Sequence, residues 1–259
     1  MAQRPYILAE TNWKTVRETD YEVAVLPWGS TEAHNYHLPY ATDTMQCDYI
    51  AAEAARRAWE AGARPLVLPT VPFGVNTGHL DLTGVINMHA STQAAVLRDV
   101  AASLTRQGLR KIVVLNGHGG NAFAPLIREV QNDLDDIFLC AARWFEIGDQ
   151  TEYFDEPGDH AGEMETSVML RVAPELVRPL DEAGEGRAQV FQIEALREEW
   201  AWAEREWPRV TDDTGVGDPS SASAEKGDAY LGQVTGTLAD LFRDLAAADL
   251  DALYTAPNE

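Results

Sequence analysis

Residues 22–44 read EVAVLPWGSTEAHNYHLPYATDT. The first six, EVAVLP, are a short apolar run of strand length, and they read as a buried strand. From Asp43 to residue 61 the chain is alanine-rich with helical spacing, and Gly62 ends it. Glu32 and His34 stand between strand and helix. They are two apart, and in extended backbone residues i and i+2 point to the same side, so a carboxylate and an imidazole can reach one metal ion together. Asp43 opens the helix, where a carboxylate is favoured as a cap and by the helix dipole. Three potential ligands at the exit of one buried strand nevertheless point to a shared site, and a carboxylate with two oxygens can bridge two cations.

The same alternation continues outward. PLVLP (65–69) reads as a second strand, 91–107 as a helix stopped by Gly108, and KIVVL (111–115) as a third strand. A helix over 121–134 and a strand IFLCAA (137–142) follow. Strands alternating with helices across short connections make βαβ units and a mostly parallel sheet covered on both faces. In such α/β sheets, sites form outside the carboxyl ends of the strands. Beyond residue 143 the pattern changes. Residues 144–159 are acidic and loop-like, and 162–172 read as a helix ended by Pro174. Residues 192–207 read as a charged helix bearing Trp200, Trp202 and Trp207, 211–223 as a loop, and 224–248 as a long amphipathic helix. With no repeat and no linker, residues 1–259 are expected to form one domain.

Two more clusters fall at strand exits or helix starts. NGHGGN (116–121) follows the third strand. Its glycines let backbone approach a ligand closely, but it is neither GxGxxG nor a phosphate loop. His118 has little to pack against there and reads as a ligand, with Gly119 and Gly120 lining a substrate site. DHAGEMETS (159–167) opens a helix. The dipole at that end keeps the imidazole of His160 neutral, and Glu165 lies over the same crevice. Glu163 reads as a dipole partner. His79, in the glycine-flanked GVNTGH (74–79), is placed in the substrate pocket. His37 is expected to orient a ligand, and His89 reads as structural.

Composition narrows the function. Apolar residues make up 45% and charged residues 24% of 259, which is globular. The 42 acidic against 20 basic residues give a net charge of −22. Such a surface repels phosphate backbones and anionic lipid, so neither nucleic acid nor a membrane is expected as partner. The scarcity of lysine fits a GC-rich genome, and the acidic balance fits a high-salt habitat. Cys47 and Cys140 lie outside any CxxC and read as reduced thiols. Without a signal-peptide apolar stretch or an 18-residue apolar run, a cytoplasmic location is expected.

The pieces GSTEAHNYHLPYATDT, NGHGGN, HAGEMETS and GVGDPSSASAEKG (215–227), in this order, resemble the creatininase (creatinine amidohydrolase) family. The resemblance implies a three-layer α/β/α fold with a central, mostly parallel sheet. It implies a hydrolase of non-peptide C–N bonds that activates water with two divalent metals, zinc or manganese with iron as an option, and assembles as a hexamer. On this sequence its metal ligands fall on Glu32, His34, Asp43 (bridging) and His118, and its catalytic histidine on His160. Two departures bear on the substrate. Gly120 stands where creatininase proper has a glutamate ligand, and Glu165 is the candidate replacement. Glu156, in FDEPG (154–158), stands near where an aromatic closes over creatinine. Both point away from creatinine itself, toward another small-molecule amide. A formylamino-pyrimidine nucleotide, a small peptide, or a non-catalytic ligand-binding role are the alternatives.

Overall fold

The computed structural model describes residues 4–255. Four strands, β1 (Val23–Trp28), β2 (Pro65–Val67), β3 (Lys111–Asn116) and β4 (Phe138–Arg143), form a parallel sheet in the order β2-β1-β3-β4. Between or around them run α1 (Trp13–Arg17), α2 (Thr42–Glu60), α3 (Ala90–Arg106), α4 (Phe123–Asp133) and α5 (Glu163–Val172). Two single-turn helices, α6 (Glu194–Arg197) and α7 (Trp207–Val210), precede the long α8 (Ala224–Ala247). The fold is the expected α/β one.

Strand alternation sorts the core into two layers. Val23, Val25, Val113 and Leu115 face one side, where Ile50 and Ala54 of α2 and Val234 and Leu238 of α8 cover them. Ala24, Leu26, Ile112 and Val114 face the other, under Leu97 and Ala101 of α3 and Leu126 and Val130 of α4. Period-two side-chain alternation in a sheet buried on both faces leaves no polar face, which is why the strands read as continuous apolar runs. Lys111, at the start of β3, donates to the carbonyls of Ala246 and Ala248, tying the free C-terminal end of α8 to the sheet.

The expected helix over 192–207 does not form. Only α6 and α7 are helical there, and the chain between them is irregular. A helix is held mainly by an apolar face that packs, and Trp200 and Trp202 are 75% and 82% exposed, with nothing to pack on. Pro208 also bars a helix running through Trp207 from the N-terminal side. The segment instead runs as an extended strap beside the ends of the strands.

Candidate metal centre

The loops leaving β1, β2 and β3 and the start of α5 converge beyond the carboxyl ends of the strands. They enclose a cavity of about 400 Å³. Glu32 comes from the loop after β1, Asp43 from the first turn of α2, His79 from the loop after β2 and His118 from the loop after β3. His160 and Glu165 come from the α5 end. Gly119 and Gly120 line the same cavity. His34 lies beneath it, fully buried.

The donor atoms interlock. Glu32, Asp43 and His118 form one group able to hold a cation, and His34, Asp43 and Glu165 form a second, with Asp43 common to both. His118 Nδ1 lies 2.8 Å from Glu32 Oε1 and 3.3 Å from Asp43 Oδ2. His34 Nε2 lies 3.0 Å from Asp43 Oδ1 and 4.0 Å from Glu165 Oε2. A third grouping joins Glu32, His34 and His160.

Backbone carbonyls fix the imidazoles. A carbonyl only accepts, so each facing nitrogen must carry the hydrogen. His34 Nδ1 donates to the Glu32 carbonyl at 3.2 Å, His118 Nε2 to Val75 at 3.0 Å, and His160 Nε2 to Ala33 at 2.8 Å. The other nitrogen of each ring is thereby left toward the carboxylates, the arrangement that metal-binding histidines use. His79 Nδ1 lies 2.8 Å from Glu32 Oε2 and His118 Nδ1 lies 3.3 Å from Asp43 Oδ2, yet neither contact has the alignment of a hydrogen bond, so Glu32 Oε2, Asp43 Oδ2 and His79 Nδ1 are buried and poorly satisfied. Unpaired buried polar atoms are costly, and this mixed N/O set fits a divalent cation.

The charges say the same. Burial alone lowers the His34 and His118 pKa values, but Asp43 beside His34 and Glu32 beside His118 outweigh it. His34 is pushed up to about 10 and His118 well above the ordinary histidine value. Burial, with the His34 charge beside it, drops His160 to about 4, so its imidazole is neutral. Burial also lifts the carboxyl of Glu165 to about 7. Glu32, although buried, is held well below the usual carboxylate range by His118 and His79.

Several expectations take a different form. A Cβ on Gly120 would lie 2.4 Å from both His118 Nε2 and the Val75 carbonyl, so glycine makes room for the bond that fixes His118. Glu156 is exposed and outside the cavity lining, where its N–H donates to Glu163 Oε2. The aromatic lining comes instead from Trp202 and Trp207 of the strap and its end and from Phe145 after β4. The sequence pattern puts these tryptophans on a charged helix, and the Trp-Pro step at 207–208 is the local hint of a break. His37 bonds Thr166 of α5 at 2.8 Å rather than a candidate ligand. His89 is the exposed N-cap residue of α3.

The sequence pattern described as creatinine amidohydrolase (Creatininase) matches residues 9–242. The chain belongs to the creatininase family. Family members are hydrolases. A Bacteroides fragilis NCTC 9343 structure, described as a candidate creatinine amidohydrolase, is 44% identical with a TM-score of 0.91, covering 96% of this chain and 99% of that one. The mycofactocin precursor peptide peptidase of Mycobacterium ulcerans Agy99 is 32% identical over 160 residues, only 59% of each chain. That of Mycobacterium tuberculosis H37Rv is 30% identical over 214 residues, 78% of this chain and 77% of its own. Creatininases solved in a Mn form and, as a variant, in a Zn–Zn form are 22% and 23% identical, with TM-scores of 0.76 and 0.77. Each covers 94% of this chain and 99% of the creatininase.

Proposed function

We propose that this creatininase-family member is a metal-dependent amidohydrolase that cleaves a C–N bond, amide or cyclic amide, in a small molecule. The observation that carries the reading is one buried cluster built by four separate segments, with Asp43 shared between two candidate cation sites. Glu32, Asp43 and His118 would hold one divalent ion, and His34, Asp43 and Glu165 the other, with zinc or manganese as the natural choices for such ligands. Bound there, the ions would lower the pKa of water toward about 7 and polarise the scissile carbonyl.

The chain's own groups do the rest. His160 keeps Nδ1 toward Glu32 Oε1, 4.0 Å away, because Nε2 is committed to Ala33. A neutral imidazole so placed takes at Nδ1 the proton that the attacking water gives up and passes it to the leaving nitrogen as the C–N bond breaks. The open face of Gly119, where a Cβ would meet nothing within 4 Å, leaves room for the substrate beside His118. His79 and the strap line the same cavity.

The likeness to mycofactocin precursor peptide peptidases favours a second reading, a short peptide as substrate. A homo-oligomer, hexameric as the resemblance implied, and a cytoplasmic location complete the proposal. Among the described residues no helix is long and apolar enough to cross a membrane. The test is a hydrolysis screen over cyclic amides, formamides and short peptides with added Mn²⁺ or Zn²⁺. Turnover of one class supports the reading. Two bound metals with no turnover of any class would favour a binding protein.

A further inference from the structure

The strap between α6 and α7 belongs to the metal centre's framework. Trp207, which opens α7 at the end of the strap, is 4% exposed, and its ring lies 4.2 Å from the His79 ring and 5.3 Å from that of His160. The Arg205 guanidinium lies 4.6 Å above the Trp207 ring and donates to Asp159 Oδ2 at 2.7 Å, next to His160 in the chain. Trp207 Nε1 donates to the Thr214 carbonyl at 3.2 Å, which fixes the indole's orientation. The backbone meets the same turn: a Cβ on Gly78 would lie 2.1 Å from the Arg205 carbonyl. Gly78 and His79 are thus pressed by the strap at two points.

On its other side His79 faces a candidate ligand. Its Nδ1 lies 2.8 Å from Glu32 Oε2, while Glu32 Oε1 lies 2.8 Å from His118. The two oxygens of one carboxylate are therefore divided between the two imidazoles. Asn76, which begins the turn, is itself bonded to Ser30 and the Ile86 carbonyl, so the loop is held at its base and His79 is held at its tip.

We propose that Trp207 is a positioning residue of the metal centre, acting through His79. By stacking on the imidazole it keeps Nδ1 on Glu32 Oε2, which turns Oε1 toward His118 and the cation they share. Partners of this kind, outside the metal's own ligands, change metal affinity by roughly 10–100-fold when removed. The inference rests on the two-cation reading above.

The experiment is a Mn²⁺ titration of chelator-stripped protein, followed by calorimetry, with folding checked by circular dichroism. Two ions per chain are expected in the wild type. Trp207→Leu weakens one of them roughly 10–100-fold and spares the other, Trp207→Phe restores it, and in a His79→Ala background Trp207→Leu adds no further loss. Should Trp207→Leu fail to fold, Gly78→Ala displaces the strap and is expected to weaken the same ion. Unchanged affinity in a folded Trp207→Leu or Gly78→Ala protein overturns the inference, as does equal weakening of both ions. So do additive losses with His79→Ala. A wild type that binds no Mn²⁺ would instead overturn the two-cation reading itself.

Discussion

The backbone N–H of Ala161 donates to Glu165 Oε2 at 2.6 Å, and the carboxylate so held lies 4.0 Å from His34 Nε2. Ala161 makes this bond from a left-handed conformation, φ 52°, although it is fully buried and carries a Cβ. That conformation costs about 1–2 kcal/mol for a residue other than glycine. It turns the N–H of the residue after His160 back toward the first turn of α5. Strain of this kind clusters at functional sites.

Glu165→Gln is therefore expected to remove one metal of two, the one shared with His34, while Asp43→Ala removes both. Metal analysis of dialysed protein checks this. Two metals retained at full affinity in Glu165→Gln would leave Glu165 as a dipole partner of α5 only.

Gly120→Ala is expected to weaken the His118 ion by about 10–100-fold, because the new Cβ collides with the Nε2–Val75 bond that fixes the imidazole. Metal titration of a folded Gly120→Ala protein at wild-type affinity would show that this bond is dispensable.

Without cations, His34 and His118 carry protons that balance Glu32 and Asp43. Metal and proton compete for the same lone pairs, so loading near pH 7.5 should release protons and affinity should fall as pH falls. Calorimetric titrations in buffers of different ionisation enthalpy count the protons. A count of zero contradicts the protonated cluster.

His37 gives the fold an acid limit. Burial first, and then the nearby His34 charge, drops its pKa to about 4 from an ordinary 6.5. Its Nδ1 is buried with no acceptor. Between those values the unfolded chain takes up a proton that the folded chain refuses. The contribution is thus present above pH 6.5 and lost as pH falls through about 4. His37→Asn should flatten the fall in melting temperature across that window; an unchanged slope would assign the acid lability elsewhere.

The parallel sheet was legible because the strands are built on continuous apolar runs, and the cluster was legible because Glu32, His34 and His118 stand in loops that leave strands while Asp43 opens the helix after β1. What escaped the sequence is tertiary. Nothing local to Trp207 says that it will stack on His79, more than a hundred residues away in the chain. The charged run before it has helical composition but no face to bury. At Gly120 the sequence shows a missing side chain but not the space that His118 and the Val75 carbonyl need there. The divided carboxylate of Glu32 likewise depends on three loops meeting.

The roles proposed for these residues all depend on two cations sharing Asp43 in one buried cluster. The most direct measurement is anomalous diffraction from crystals grown with Zn²⁺ or Mn²⁺. Two peaks about 3.5–4 Å apart are expected, one against Glu32, Asp43 and His118 and the other against His34, Asp43 and Glu165. A single peak, or peaks that leave Asp43 untouched, would contradict the two-cation cluster.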